Sequence, residues 1–307
     1  MRFPCSAAVC ATLFALLTAG CGKHDEPIAA KQPPPPAPAN GSPRIVSSAD
    51  GVHIQYRVYG AGEPAVILIH CWSCDSNYWS AQVPALKSRY TTVTMDLAGH
   101  GASGRNRTDW SMAHYGEDVA AVAQELPNPK IILVGHSMGG PVVLEAAQRL
   151  GARVIGIIAV DTLKTIGQPP VSAQEIQMRL KPFRENFIGY AREFVSGSFF
   201  TKDANPQFVR KIADDMSLAP PEVAIPSLEA VMKMDFAPLV AQLRVPVVAI
   251  NADATGATDD ARIQKSLPAF RSVTIPNTGH FLMMEAPERF NPILLHEIDA
   301  IEKNAGS

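Results

Sequence analysis

Apolar and polar positions follow different rhythms in different parts of the chain. VHIQYRVYG, residues 52–60, alternates apolar and polar side chains, which predicts a half-exposed antiparallel strand. Short runs rich in β-branched residues follow: AVILIH (65–70), TTVTMD (91–96), KIILVG (130–135), RVIGIIAV (153–160), VPVVAI (245–250) and RSVTIP (271–276). Runs of this kind suit strands buried on both faces. Helical periodicity separates several of them, most clearly GEDVAAVAQEL (116–126) and PVVLEAAQRL (141–150). The alternation predicts an α/β fold, a mostly parallel sheet flanked by helices. Between Asp161 and Ala241 strong strand signals stop, and stretches such as AQEIQMRLKPF and QFVRKIADDM read as helices. A helical cap insertion is expected over about 162–241, covering the C-terminal edge of the sheet, where open α/β folds bind ligands. Residues 44–303 contain no repeat and no second linker, and read as one domain.

The N-terminal stretch has another character. Met1-Arg2 is a short positive start, and an apolar run from Ala7 to Ala19 has the length of a signal-peptide core. It ends in LTAGC, residues 17–21. Small residues before a cysteine resemble a bacterial lipoprotein signal, although Thr18 stands where leucine is more usual. The resemblance implies that residues 1–20 are removed and that Cys21 carries lipid, anchoring the protein to a membrane surface in the cell envelope. Gly22, in place of aspartate, favours the outer membrane by the same resemblance. A plain secretory signal with an incidental cysteine is the alternative. KHDEPIAAKQPPPPAPANGSP, residues 23–43, is too proline-rich to pack a core, and with Cys21 reads as a tether spanning 21–43.

Composition narrows the function classes. The 307 residues are 47% apolar and 18% charged, with net charge −2, which is ordinary for a globular chain with a large core. Nucleic-acid binders usually carry a basic excess, so that class is disfavoured. Of five cysteines, Cys5 and Cys10 would leave with the signal and Cys21 would be lipidated. Cys71 and Cys74 remain, too few for a zinc site; they are either a local disulfide or two free thiols.

The chemistry concentrates in IILVGHSMGG, where Gly135, Ser137 and Gly139 form G-x-S-x-G between an apolar strand and an amphipathic helix. That context suits a nucleophile elbow, a sharp turn that lifts Ser137 above the sheet while the two glycines avoid collisions. IHCWSCDSNYW, MDLAGHGAS (Asp96, Gly99, His100, Gly101, Ser103) and TGHFLMMEAPERF complete a set of four ordered motifs. Together they resemble the α/β-hydrolase superfamily over nearly all of residues 44–303. The resemblance implies the α/β-hydrolase fold, a serine nucleophile and no metal or organic cofactor. It also disfavours dehalogenase and epoxide-hydrolase chemistry, for which the superfamily uses aspartate at the elbow.

A serine hydroxyl needs a base within reach. Of eight histidines, His280 follows a strand and the loop PNTG and is the candidate base; His70 and His100 match turn positions with a role in loop structure. The resemblance assigns oxyanion donation to the backbone N–H groups of Met138 and Trp72. Cys71 replaces the glycine of the family's His-Gly pair, so strain or an altered loop is expected there. The Trp72 ring is a candidate wall for the acyl or alcohol pocket, with a purely packing role as the alternative.

The acid is the open question. The family pattern I-x-G-x-x-D laid on Ile250 places Thr255 at the acid position, and threonine carries no charge to stabilise an imidazolium. Asp161, at the end of an earlier strand, becomes the first candidate, since some members of the superfamily place their acid there. Asp253 is the runner-up. Asp259 and Asp260 fit better as cap or first-turn residues of the helix ARIQKSL. The expectation is therefore a serine hydrolase of small carboxylic esters using Ser137, Asp161 and His280. Hydrolysis of C–C, lactone or peptide bonds, and a non-catalytic surface binding protein, are the alternatives.

Overall fold

The computed structural model describes residues 40–306; the signal-type segment, Cys21 and most of the proline-rich stretch lie outside them. Eight strands form one sheet: β1 (Pro43–Ser47), β2 (His53–Tyr59), β3 (Ala65–Ile69), β4 (Thr91–Met95), β5 (Ile131–His136), β6 (Val154–Val160), β7 (Val247–Ala252) and β8 (Phe270–Ile275). Their order is β1-β2-β4-β3-β5-β6-β7-β8. β1 and β2 pair antiparallel, as do β2 and β4, and every other pairing is parallel. The alternating segment is thus the antiparallel β2, and the short β-branched runs are β3 to β8; β8, expected to be buried on both faces, is half-exposed because it lies at the sheet edge. Ile67, Val93, Leu133, Ile158 and Ile250 are fully buried, as strands covered on both faces require.

β1 departs from the sequence expectation. Residues 40–43 fall in the stretch read as a tether, yet Gly41 N–H donates to Val58 O at 2.8 Å and Gly60 N–H to Asn40 Oδ1 at 3.1 Å. The strand PRIVS is short, half-exposed and opens on proline, which is tolerated at the first position of an edge strand. At the other end the last helix runs Pro287–Gly306, past the expected boundary at 303.

Between β6 and β7 lie five helices: Ala173–Glu185, Phe187–Ser198, Pro206–Ser217, Pro221–Met232 and Ala237–Gln242. Their starts are chemically marked. Ser172 accepts from Glu175 N, Asn186 from Gly189 N, and Asn205 from Gln207 N and Phe208 N. Each of the first three buries an apolar stripe, such as Ile176, Leu180 and Phe183 in the first. Among the described residues no helix is long and apolar enough to cross a membrane.

The parallel strands end on one edge, and that edge collects the motifs. Cys71 follows β3, Ser137 follows β5, Asp161 follows β6 and His280 follows β8. The MDLAGHGAS turn is a latch beside them. Asp96 accepts from Ser76 N at 2.8 Å and Ala102 N at 2.9 Å, while the Ser103 hydroxyl donates to Asp96 O and accepts from Gln55 N. A side chain on Gly101, whose φ is 51°, would lie 2.3 Å from Asp96 Oδ2. His100 is buried and donates from Nδ1 to Ala98 O, and burial first of all pushes its imidazole down to about 3. It is a neutral structural group.

A buried ion pair supports this latch. Arg107 holds Asp118 at 2.5 Å and Asp50 at 2.7 Å, and Asp118, wholly buried, also accepts from Ala98 N. Removing the guanidinium leaves Asp118 charged or protonated without its partner. Arg107→Met is expected to lower the unfolding free energy by about 3–5 kcal/mol, read from urea denaturation.

Candidate active site

Ser137 sits at φ 52°, a left-handed conformation that a non-glycine residue adopts only where its surroundings impose it. Several contacts do so. Ser137 N–H donates to Val160 O at 3.0 Å, and Ser137 O accepts from Gly140 N at 2.9 Å and from the Thr162 hydroxyl at 2.7 Å. The glycines are there for space. A Cβ on Gly135 would lie 2.2 Å from Gly139 O, and one on Gly139 would lie 2.7 Å from Ile69 O. The helix Gly139–Leu150 starts directly behind the serine, and the positive end of its dipole faces developing negative charge.

Asp161 also has positive φ, 44°, and its N–H donates to Ile250 O at 2.9 Å, tying it to β7. Its carboxylate is buried and fully engaged. Oδ2 accepts from His280 Nδ1 at 2.6 Å. Oδ1 accepts from Ala252 N at 3.0 Å and from the ammonium of Lys164 at 2.8 Å. The Thr255 hydroxyl lies 2.8 Å from both oxygens. Burial works to raise this carboxyl, but the hydrogen bond and charge of His280 and the ammonium of Lys164 outweigh it and hold Asp161 well below the usual carboxylate range.

The main chain and the ring of His280 are both held. Its backbone N–H donates to Phe199 O at 2.7 Å, and the Phe199 ring stacks on the imidazole with centroids 4.5 Å apart. His136, fully buried, donates from Nε2 to His280 O at 2.8 Å. Burial, and then the neighbouring His280, push the His136 imidazole well below its usual range. Glu285 accepts from Gly279 N at 2.9 Å.

The other carboxylates of the stretch beyond β7 are placed elsewhere. Asp253 is exposed and accepts from Asn277 N at 2.9 Å and Thr278 N at 3.3 Å, so it holds the loop before His280 rather than the imidazole. Asp259 caps its helix by accepting from Arg262 N, and Asp260 accepts from Ser272 N and its hydroxyl. Thr255, at the position where the family pattern has its acid, touches Asp161 through its hydroxyl.

The loop after β3 differs from expectation. Cys71 and Cys74 form a disulfide, and both are almost fully buried. Positive φ falls on Ser73, at 56°, and not on Cys71, so cysteine at the glycine position carries no left-handed strain. His70 lies beneath, accepting from Leu97 N at Nε2 and donating from Nδ1 to Cys71 O. Among the described residues, neither Trp72 N–H nor Met138 N–H is drawn into a backbone hydrogen bond. The Trp72 ring does not wall the cavity at Ser137. Its Nε1 donates to Ala224 O at 2.7 Å, and it packs edge-on against Phe183 and Phe187 of the covering helices.

Ser137, Asp161 and His280 line one cavity of about 410 Å³. Met138, Pro141, Leu163, Phe199, Val231 and Phe236 supply its apolar wall. A larger cavity, about 590 Å³, lies by Glu285 and Arg289 and shares no lining residue with those three, so size does not locate the chemistry. Among the described residues no cluster of His, Cys, Asp and Glu could hold a metal ion.

Lys164, His136 and Phe199 are absent from the sequence expectation. Lys164 and Phe199 belong to segments without a motif, and only the folded chain brings them to the site. His136, inside the elbow motif, gives no sign in the sequence that it binds the base's carbonyl. Gly135→Ala forces a Cβ into the Gly139 carbonyl and is expected to displace Ser137. Hydrolytic turnover by the folded variant should fall by about a hundredfold or more in kcat/KM, the scale of an ångström-sized misplacement.

The fold agrees with known proteins. Residues 66–293 match the alpha/beta hydrolase family. The chain is 24% identical over 262 residues to 3-oxoadipate enol-lactonase 2 of Acinetobacter baylyi, covering 83% of this chain and 95% of that one. It is 26% identical over 241 residues to the pimeloyl-[acyl-carrier protein] methyl ester esterase of Edwardsiella ictaluri, covering 75% and 92%. A thermophilic esterase from Thermogutta terrifontis superimposes with a TM-score of 0.74 at 24% identity, over 85% of this chain and 99% of that one, a likeness that bears on the fold alone. With the family match spanning most of the folded residues, the chain belongs to the alpha/beta hydrolase family.

Proposed function

We propose that the protein is a serine hydrolase of small carboxylic esters. The observation that carries this reading is the buried Asp161–His280 pair, 2.6 Å apart, in the same cavity as a serine on a strained elbow. Ser137 Oγ attacks the ester carbonyl while His280 takes its proton. The tetrahedral oxyanion is received by the N–H groups of Met138 and Trp72. Collapse expels the alcohol, which takes the proton from His280, and leaves an acyl-serine. Water, deprotonated by the same histidine, releases the acid and restores the serine. Asp161 orients the imidazole and stabilises its charged form.

The cavity lining is mixed, with Met138, Pro141, Leu163, Phe199, Val231 and Phe236 on its apolar side, and the Lys164 ammonium, also in the lining, is already bonded to Asp161, Thr255 and two carbonyls. An uncharged ester with an apolar acyl or aryl group fits that lining. Lactone opening is the second reading, since the same steps apply to a cyclic ester and one relative is an enol-lactonase. A panel of neutral acyclic esters and lactones separates the two.

Asp161→Asn is expected to lower kcat by about 10⁴-fold and Asp253→Asn by less than about tenfold, measured as ester turnover. A fluorophosphonate probe should label the wild type and not Ser137→Ala; an unlabelled, folded wild type would leave only a binding role. We further propose, on LTAGC, that Cys21 is lipidated and holds the protein at the outer membrane. Cys21→Ser should move the protein to the soluble fraction, and unchanged membrane fractionation would refute the anchor.

A further inference from the structure

Resting on the hydrolase reading above, we propose that Lys164, bridged to Thr255, is a positioning residue that keeps His280 in its basic form at lower pH by partly neutralising Asp161. The arrangement is specific. Lys164 follows β6 by a short loop, and its ammonium reaches across to the end of β7. There it meets Ala252 O at 3.1 Å, Thr255 Oγ1 at 2.7 Å and Gly256 O at 2.9 Å. It also meets Asp161 Oδ1 at 2.8 Å, and its side chain is only 15% exposed. The Thr255 hydroxyl accepts from Lys164 and passes its own hydrogen to Asp161. The two carboxylate oxygens are therefore divided: Oδ2 faces His280 and Oδ1 faces the cation.

This division has a chemical consequence. An isolated aspartate favours the imidazolium strongly and so raises the pH at which the base protonates. A fixed ammonium on the far oxygen opposes that pull while leaving the orienting hydrogen bond intact. Solvent screens such a buried contact less than a surface pair. The other groups around the imidazole do not supply the charge. His136, from the end of β5, is held neutral by its burial. Phe199, from the covering segment, is uncharged, and so are the hydroxyls of Ser137 and Thr255. Glu285, from the helix Leu282–Glu285, is raised by its own burial and is bonded to Gly279 N, not to Lys164.

The test is the pH dependence of kcat/KM on a neutral ester whose leaving group does not titrate. In Lys164→Met and Lys164→Gln the acid limb should move up by about one pH unit, because the imidazole protonates more readily once the cation is gone. KM should stay within about twofold, since the ammonium's bonds are all to protein. Lys164→Arg should return the limb toward wild type. Thr255→Val, which keeps the ammonium on Asp161, should lower thermal stability and leave the limb in place. Lys164→Gln, which retains a donor for the β7 carbonyls, carries the same reading where Lys164→Met does not fold. An acid limb that coincides with wild type in a folded Lys164→Met or Lys164→Gln overturns the proposal and leaves Lys164 a strand staple. Equal limb shifts in Thr255→Val and Lys164→Met overturn it as well, by tracing the effect to geometry. Failure of the serine-hydrolase reading looks different: the folded wild type would then turn over no ester, or Ser137→Ala would keep the turnover.

Discussion

The hydrogen bond from His280 Nδ1 to Asp161 Oδ2 is the contact around which the rest of the edge is arranged. It joins two almost fully buried polar side chains from different strand ends. A buried carboxylate is costly unless each oxygen is satisfied. Asp161 meets that demand with a backbone N–H from β7, a hydroxyl, an ammonium and the imidazole. The positive φ at Asp161 and at Leu163 shows the backbone bending to bring those donors together. Strain at Ser137 and at Asp161 lies on adjacent strands, and the Ser137 N–H to Val160 O and Thr162 hydroxyl to Ser137 O bonds link the two bends. The elbow and the Asp161 turn are one piece of structure.

The loop after β3 shows a different solution to a familiar requirement. Glycine beside the first oxyanion donor would permit close approach at the cost of chain freedom. Here a disulfide between Cys71 and Cys74 closes the loop around Trp72. The Trp72 indole then runs outward to Ala224 O, and Asp96 anchors Ser76 just beyond. Rigidity comes from a covalent tie and two hydrogen bonds in place of a small side chain. The tie explains why Cys71 carries no left-handed strain, which falls on Ser73 instead.

Most of the sheet was legible because buried parallel strands leave an unmixed signal. The runs at 131–134 and 247–250 are apolar throughout, and the strands they open are buried at every position. β1 was not, because five residues with a leading proline and alternate exposure look like any edge of a linker. Ser137 and His280 stood out as candidates through their motifs, and Asp161 through its place at the end of an earlier strand together with what Thr255 lacks; the fold brings the three to one cavity. Lys164 could not be found, since its role depends on the distance between two strand ends that sequence does not encode locally. The choice between a wall and a packing role for the Trp72 ring stayed open for a related reason: whether an indole lines a cavity or plugs a helix junction is decided by helices more than a hundred residues later, at Phe183, Phe187 and Ala224.

Phe199 gives the covering helices a standing they would not have as a mere roof. Its carbonyl holds the backbone of His280 and its ring lies flat on the imidazole, while Gly279 leaves no room for a side chain against Phe199 O. The cover is therefore part of the wall that shapes the base. A chimera that exchanged these helices for those of a relative would inherit a new substrate chamber. It would also alter the seat of its own histidine unless the graft reproduced the main chain at this one phenylalanine.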